Sequence, residues 1–168
     1  MRPLFLKVAA TALLVSATSA PAVDQPADPF TLVVVKKSAH VLELHANDRI
    51  VATFPVALGA EPEGHKGREG DEKTPEGRYV LDWRNPNSGY HRAIHVSYPN
   101  AADVRAAKAA GADPGGMIMI HGQRNYFGWA AKVTQLFNWT NGCIAVKNED
   151  MDTIWDAVPN GTPVEIRP

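Results

Sequence analysis

One cysteine and one histidine are the residues whose types and spacing could carry out covalent chemistry. Cys143 is the single cysteine of the 168 residues, so it has no partner for an internal disulfide. It follows Gly142, which permits a sharp turn and lets a substrate carbonyl approach backbone N–H groups. His121 lies 22 residues earlier, where a short apolar run ends. An imidazole beside a thiol can take its proton and later protonate a leaving amine, which is the chemistry of acyl transfer.

The elements that must position these two residues are mostly strands. Apolar and β-branched runs predict strands near 32–35, 41–44, 50–58, 78–83, 91–98, 117–120 and 162–166. The first three are expected to form an antiparallel meander, followed by a long loop over 59–77. Cys143 would lie in a turn before an apolar run, and His121 where a buried strand emerges.

Three helical segments are predicted between and after these strands. They are 101–110, capped by Asn100, then 126–137, and a last segment from 148 to 158. The aromatic residues Trp129, Phe137 and Trp139 are predicted to lie in the core or in a cleft wall. The predicted fold class is therefore mainly β, with two or three short helices.

The N-terminal 22 residues are predicted to be a secretory signal peptide. A start containing Arg2 and Lys7 precedes an apolar run, 8–15, and small residues up to Ala22. Because this run is shorter than the about 20 residues that span a bilayer, no stable membrane insertion is expected after cleavage. Residues 23–29 would be a linker and 30–168 one periplasmic catalytic domain. Cleavage would change the formal net charge from −1 to −3, which disfavours nucleic acid as a partner.

Four segments resemble the catalytic domain of the L,D-transpeptidase (YkuD-type) family. They occur in the family's order at 73–79, 118–122, 140–144 and 158–164. The Thr-x-Gly-Cys element with an upstream His-Gly is specific to the family. The Trp-Thr-x-Gly-Cys-Ile-Ala form is similar to a subgroup in which hydrolytic release of wall-linked protein is the reported type of activity. The resemblance implies a YkuD-like β-sandwich and cell-wall remodelling through a cysteine thioester with peptidoglycan stem peptides.

The resemblance also implies roles for four residues. Cys143 would be the nucleophile and His121 the general base and acid. Gly122 would hold the His121 ring through its backbone carbonyl. Gly142 and the Cys143 N–H would be part of the oxyanion hole. No cofactor is implied.

Further residues are candidates for substrate binding on their position and chemistry. They are Thr140, Asn141, Arg124, His95 and Tyr98. Arg124 could meet a stem-peptide carboxylate, and His95 and Tyr98 could line the groove. His91 and His95 are four residues apart but have no evident third ligand, so no metal site is expected.

Several functions stay open from the sequence. The thioester could be resolved by a second stem peptide, by a wall-linked lipoprotein, or by water, in which case the protein would be an L,D-carboxypeptidase or amidase-type hydrolase. Many family members have histidine at Asn141 and arginine or asparagine at Ala145, so acceptor binding could differ. A non-catalytic cell-wall-binding module would need neither Cys143 nor His121. A sortase needs an arginine soon after its cysteine, and only Arg167 follows.

Overall fold

Eight strands form one continuous sheet in the computed structural model, which describes residues 30–168. In chain order they are β1 Leu32–Lys36, β2 Val41–Ala46, β3 Arg49–Pro55, β4 Gly77–Asn85, β5 Ala93–Val96, β6 Met119–His121, β7 Ile144–Ala145 and β8 Thr162–Arg167. Their order across the sheet is β3-β2-β1-β8-β4-β5-β6-β7. The β1–β8 and β6–β7 pairs are parallel and the other neighbours are antiparallel. The predicted signal peptide and linker lie outside the described residues.

The sheet curls so that its two edges meet. Ala57, just beyond edge strand β3, forms an antiparallel bridge with Ala145 in the opposite edge strand β7. Gly59 forms a parallel bridge with Thr140. These bridges satisfy backbone groups that would otherwise be open at both edges. The mainly β fold class and the antiparallel β1–β2–β3 meander are therefore confirmed.

Short helices connect the strands of the second half. They are α1 Ala101–Ala109, a 3₁₀ helix Gly128–Ala130, α2 Ala131–Thr134 and α3 Asn148–Ala157. Asn100 caps α1 as predicted: its side chain accepts from the N–H of Ala102 and Asp103, and the Asp103 carboxylate accepts from the Asn100 N–H. Lys147, rather than Asn148, occupies the N-cap position of α3.

The core is packed with branched aliphatic side chains from the sheet and α3. Fully buried members include Leu42, Leu44, Leu81, Ile120 and Ile154. Three consecutive residues of β1 are buried, because this central strand is covered on both faces. Burial of each large side chain contributes about 1.5–3 kcal/mol relative to exposure. This core fixes β6 and β7, the two strands beside the site.

The prediction of one continuous helix over 126–137 is wrong. Only the 3₁₀ helix and the single turn of α2 form there, and neither has a side-chain cap. Trp129 and Phe137 are exposed, so their predicted place in the core or cleft wall is also wrong. Apolar spacing marks a helix face but does not show what covers it, and here α3 and the sheet already close the core.

Candidate active site

A cleft of about 370 Å³ at the β5–β6–β7 end of the sheet contains both Cys143 and His121. Its other lining residues are Asn85, Ser88, Tyr90, Ala93, Met117, Met119, Trp139, Thr140 and Asn141. His121 is the last residue of β6, and Cys143 directly precedes β7, the parallel neighbour of β6. Adjacent strands lie about 4.8 Å apart, so this topology brings the two side chains to one place. Two larger cavities, of about 570 and 520 Å³, contain neither residue.

His121 is held in one orientation by its neighbour. Its Nδ1 lies 2.6 Å from the backbone oxygen of Gly122. Because a carbonyl oxygen only accepts, a neutral His121 carries its proton on Nδ1 and has Nε2 free to accept one. Burial lowers the pKa of His121, although the bond to Gly122 partly opposes that shift. The imidazole is therefore neutral near pH 7, as a general base requires.

The Cys143 thiol is protonated in the resting site. Burial raises its pKa, while a hydrogen bond from the backbone of Met119 and the charge of Lys66 lower it in part. Its Sγ donates to the backbone oxygen of Met117 at 3.6 Å. Burial outweighs both of these lowering effects. An attack by this sulfur would require a base to take the thiol proton, and His121 is the imidazole that shares its cleft.

Thr140 organises the turn that presents Cys143. Its hydroxyl donates to the Cys143 backbone oxygen at 2.7 Å and accepts from the Gly142 N–H at 3.2 Å. Gly142 has φ +113°, and a Cβ there would lie 2.5 Å from the backbone oxygen of Lys73. This position therefore requires glycine. Since the Gly142 N–H is already engaged, the Cys143 N–H is the better candidate oxyanion donor of the two.

Sequence reasoning predicted the charged loop over 59–77 but missed its contact with the turn that carries Cys143. Burial opposes ionisation of Asp71, but hydrogen bonds outweigh it and lower its pKa to about 2. The donors are Lys66 Nζ at 2.8 Å, Gly67 N at 2.8 Å, Arg68 N at 3.0 Å and Lys73 N at 3.1 Å. Asp71 thus fixes Lys73, whose carbonyl packs against Gly142. The dense charges of the predicted 59–77 loop were the available signal.

Only two of the five predicted substrate-binding residues line the cleft. Thr140 and Asn141 line the cleft, and Asn141 is exposed. Arg124 is outside the cleft lining and lies over the Phe127 ring, 5.9 Å from its centroid. Tyr98 is in the core instead of a groove, and its hydroxyl donates to the Pro114 carbonyl at 3.1 Å.

His95 lies next to the cleft, on β5, two residues after the cleft residue Ala93. It is paired with Met119 across β5 and β6, so it shares the face of the sheet that His121 occupies. Its ring stacks on Trp83 with centroids 4.9 Å apart, and its Nδ1 lies 2.7 Å from Asp82 Oδ1. Among residues 30–168, no group of three or more His, Cys, Asp or Glu side chains is arranged to hold a metal ion.

The fold and this cleft agree with a direct comparison of the sequence. The model of the L,D-transpeptidase catalytic domain (YkuD) family matches residues 30–166. The chain therefore belongs to the L,D-transpeptidase catalytic domain family, and the resemblance predicted from its motifs is confirmed.

Individual relatives match different shares of the chain. The chain is 36% identical over 98 residues to YafK of Escherichia coli K12, covering 56% of this chain and 32% of the relative. It is 26% identical over 141 residues to YkuD of Bacillus licheniformis, covering 81% of this chain and 65% of the relative. Both relatives are provisionally designated L,D-transpeptidases. The crystal structure of the helical cell shape determining protein Pgp2 from Campylobacter jejuni superposes with a TM-score of 0.63 at 27% identity. The superposition covers 83% of this chain and 48% of the Pgp2 chain. The chain thus spans about a third of YafK and half of Pgp2.

Proposed function

We propose that the protein is a cysteine acyltransferase that acts on the stem peptides of peptidoglycan. Membership of the L,D-transpeptidase family supports the substrate class. The observation that carries the mechanism is the shared cleft, in which Cys143 lies with an imidazole whose Nδ1 is fixed on a carbonyl. A non-catalytic wall-binding module has no need for this arrangement.

In the proposed first half-reaction, Cys143 Sγ attacks a stem-peptide carbonyl carbon while His121 Nε2 takes the thiol proton. The Cys143 N–H donates to the oxyanion that forms. The C–N bond then breaks, and the imidazolium returns its proton to the leaving amine. The product is a thioester on Cys143 and a free amine.

In the second half-reaction an amine or water attacks the thioester carbonyl. His121 takes a proton from that nucleophile and passes it to the departing sulfur, which restores the thiol. A primary amine as acceptor gives a new amide, and therefore transpeptidation. Water gives a carboxylate, and therefore L,D-hydrolysis.

The cleft wall has the chemistry to hold a short peptide. Tyr90, Trp139 and Met117 offer apolar surface, and Ser88 and Asn141 offer hydrogen-bonding groups. The indole N–H of Trp139 is buried and has no hydrogen-bond partner within residues 30–168. A buried donor without a hydrogen-bond partner is uncommon in folded proteins.

Hydrolysis is a second candidate outcome, and it is favoured because no Asp, Glu, Lys or Arg side chain of residues 30–168 lines the cleft. No lining carboxylate can therefore hold the ammonium group of an acceptor. Ala145 is fully buried and its backbone bonds to Ala57, so it does not contact an acceptor. Asn141 is the exposed residue at which acceptor choice would be decided. A wall-linked lipoprotein is a further acceptor or substrate in the same scheme.

The same proposal includes export. Residues 1–22 would be removed as a signal peptide, residues 23–29 would link, and 30–168 would be the periplasmic catalytic domain. No helix among residues 30–168 is long and apolar enough to cross a bilayer. N-terminal sequencing of exported protein should begin at Val23, and retention of Met1 in a membrane fraction would contradict cleavage.

The test of the reaction is incubation with defined tetrapeptide muropeptides and identification of products by mass. Cross-linked or cleaved stems are expected from the protein and from Thr153→Ala, a control substitution on α3 outside the cleft. Neither product is expected from Cys143→Ala. Turnover that persists without the thiol would overturn the proposed mechanism.

A further inference from the structure

Six large apolar side chains are exposed within twelve residues, between the strand that carries His121 and the turn that carries Cys143. We call residues 126–137 the aromatic segment. Their exposed fractions are Tyr126 95%, Trp129 81%, Leu136 80%, Val133 60%, Phe137 53% and Phe127 50%. Scattered exposed apolar residues are normal, but six within one short segment are typical of an interaction site.

The segment is built with its apolar side outward. Thr134 donates to the side chain of the fully buried Gln123 at 2.6 Å, and Gln123 donates in turn to the Val146 carbonyl at 2.7 Å. Gln135 donates to the Ala145 carbonyl at 3.2 Å. Thr134 of α2 and Gln135, its C-cap, thus bind the domain through their polar groups, while Val133 and Leu136 are exposed, which is the reverse of an ordinary surface helix. The aromatic segment is therefore anchored in a state that presents its apolar residues.

The charged residues of the aromatic segment and of its neighbours in sequence are of one sign. Arg124 and Lys132 are exposed in or beside the aromatic segment, and no Asp or Glu occurs between Asp113 and Glu149. Exposed Trp, Tyr and Phe with flanking Lys and Arg form the composition that settles at the headgroup level of a bilayer. Basic residues at such a surface are attracted to anionic lipids.

We propose that the aromatic segment docks the protein peripherally onto a bilayer surface that contains anionic lipids. The basic residues favour this partner over a second copy of the chain, whose own segment carries charges of the same sign. Trp139 follows the segment and lines the cleft. Docking would therefore hold the cleft mouth beside the membrane. This binding is reversible and needs no spanning helix.

The experiment is flotation of the exported protein with vesicles of phosphatidylethanolamine and phosphatidylglycerol, and with vesicles of phosphatidylcholine alone. Binding is expected only to the anionic vesicles. Trp129→Ala with Leu136→Ser should weaken it at least about tenfold, because two exposed anchors are lost. Lys132→Glu should weaken it by at least about fivefold. The matched control is Ile50→Ser with Val104→Ser, which removes exposed apolar side chains from β3 and α1 and should bind normally.

Three results of the vesicle experiment would overturn the proposal. One is no binding to either vesicle type, and another is equal binding to both. The third is unchanged binding by the Trp129→Ala, Leu136→Ser variant. Sedimentation of the protein alone should show monomers, and self-association that this variant abolishes would assign the surface to a second copy instead. No turnover is measured, so failure here leaves the proposed acyl transfer intact.

Discussion

Substitution of Gly142 by alanine tests whether the charged loop over 59–77 and the turn that carries Cys143 pack as one unit. The new Cβ would lie 2.5 Å from the Lys73 backbone oxygen and 3.2 Å from Ile118 Cδ1. A non-glycine residue at φ +113° costs about 1–3 kcal/mol, and overpacking adds about 1–3 kcal/mol. We therefore expect a loss of about 2–6 kcal/mol in the free energy of unfolding. A turn displaced by about 1 Å should also slow acylation about 100-fold.

Gly161→Ala is the matched control for backbone strain without a collision. Gly161 has φ +92°, but nothing lies within 4 Å of a Cβ built there. It should lose about 1–3 kcal/mol of stability and keep the acylation rate. Urea unfolding gives the two stabilities, and the rate of muropeptide turnover gives the second readout. If Gly142→Ala is as stable and as active as Gly161→Ala, packing of Lys73 against the turn does not position Cys143.

Three further predictions concern charge and proton transfer. Asp71, with a pKa of about 2 in the fold against 3.8 ordinarily, contributes about 2 kcal/mol of stability above pH 4 that is lost as the pH falls towards 2; Asp71→Asn should flatten this acid loss in urea titrations, and an unchanged slope would contradict it. His121 has a lowered pKa, so it favours the fold above its unfolded pKa of about 6.5 and loses that contribution as the pH falls towards its folded value. His121→Ala should remove the acid limb of the rate profile and leave at most a small residual rate, whereas an intact limb would assign that proton to another group. Asn141→His should change the ratio of cross-linked to cleaved product from one pool of tetrapeptides, and no change would mean that acceptor choice is set elsewhere.

Local patterns were sufficient to predict the main elements and to single out Cys143 and His121, which line one cleft. Alternation and turn residues identified β1, β2 and β3, because each pairs with its neighbour in sequence. Cys143 and His121 were recognisable because the residues beside them, Gly142 and Gly122, carry the motif. The parallel β6–β7 pair that brings them together is short, with only two registered residue pairs, and gives little local signal.

Features that depend on distant contacts were not predictable. Tyr98 has the chemistry of a groove residue, yet it is buried beneath two separate loops, whose Lys66 and Pro114 carbonyls lie near its hydroxyl. The ion pair of Lys66 with Asp71 spans only five residues, but its importance comes from Lys73 reaching Gly142 across the fold. The exposure of the aromatic segment goes with the buried side chain of Gln123, which accepts a hydrogen bond from the Thr134 hydroxyl of α2.

The central claim is that Cys143 carries the acyl group, and intact mass measurement after rapid mixing with a tetrapeptide muropeptide tests it most directly. A mass increase equal to the stem acyl fragment, mapped to Cys143 and removed by hydroxylamine, is expected. Cys143→Ala should show no increase, while keeping the stability of the unsubstituted protein in urea. Turnover without any adduct, or an adduct on another residue that persists in Cys143→Ala, would contradict the account.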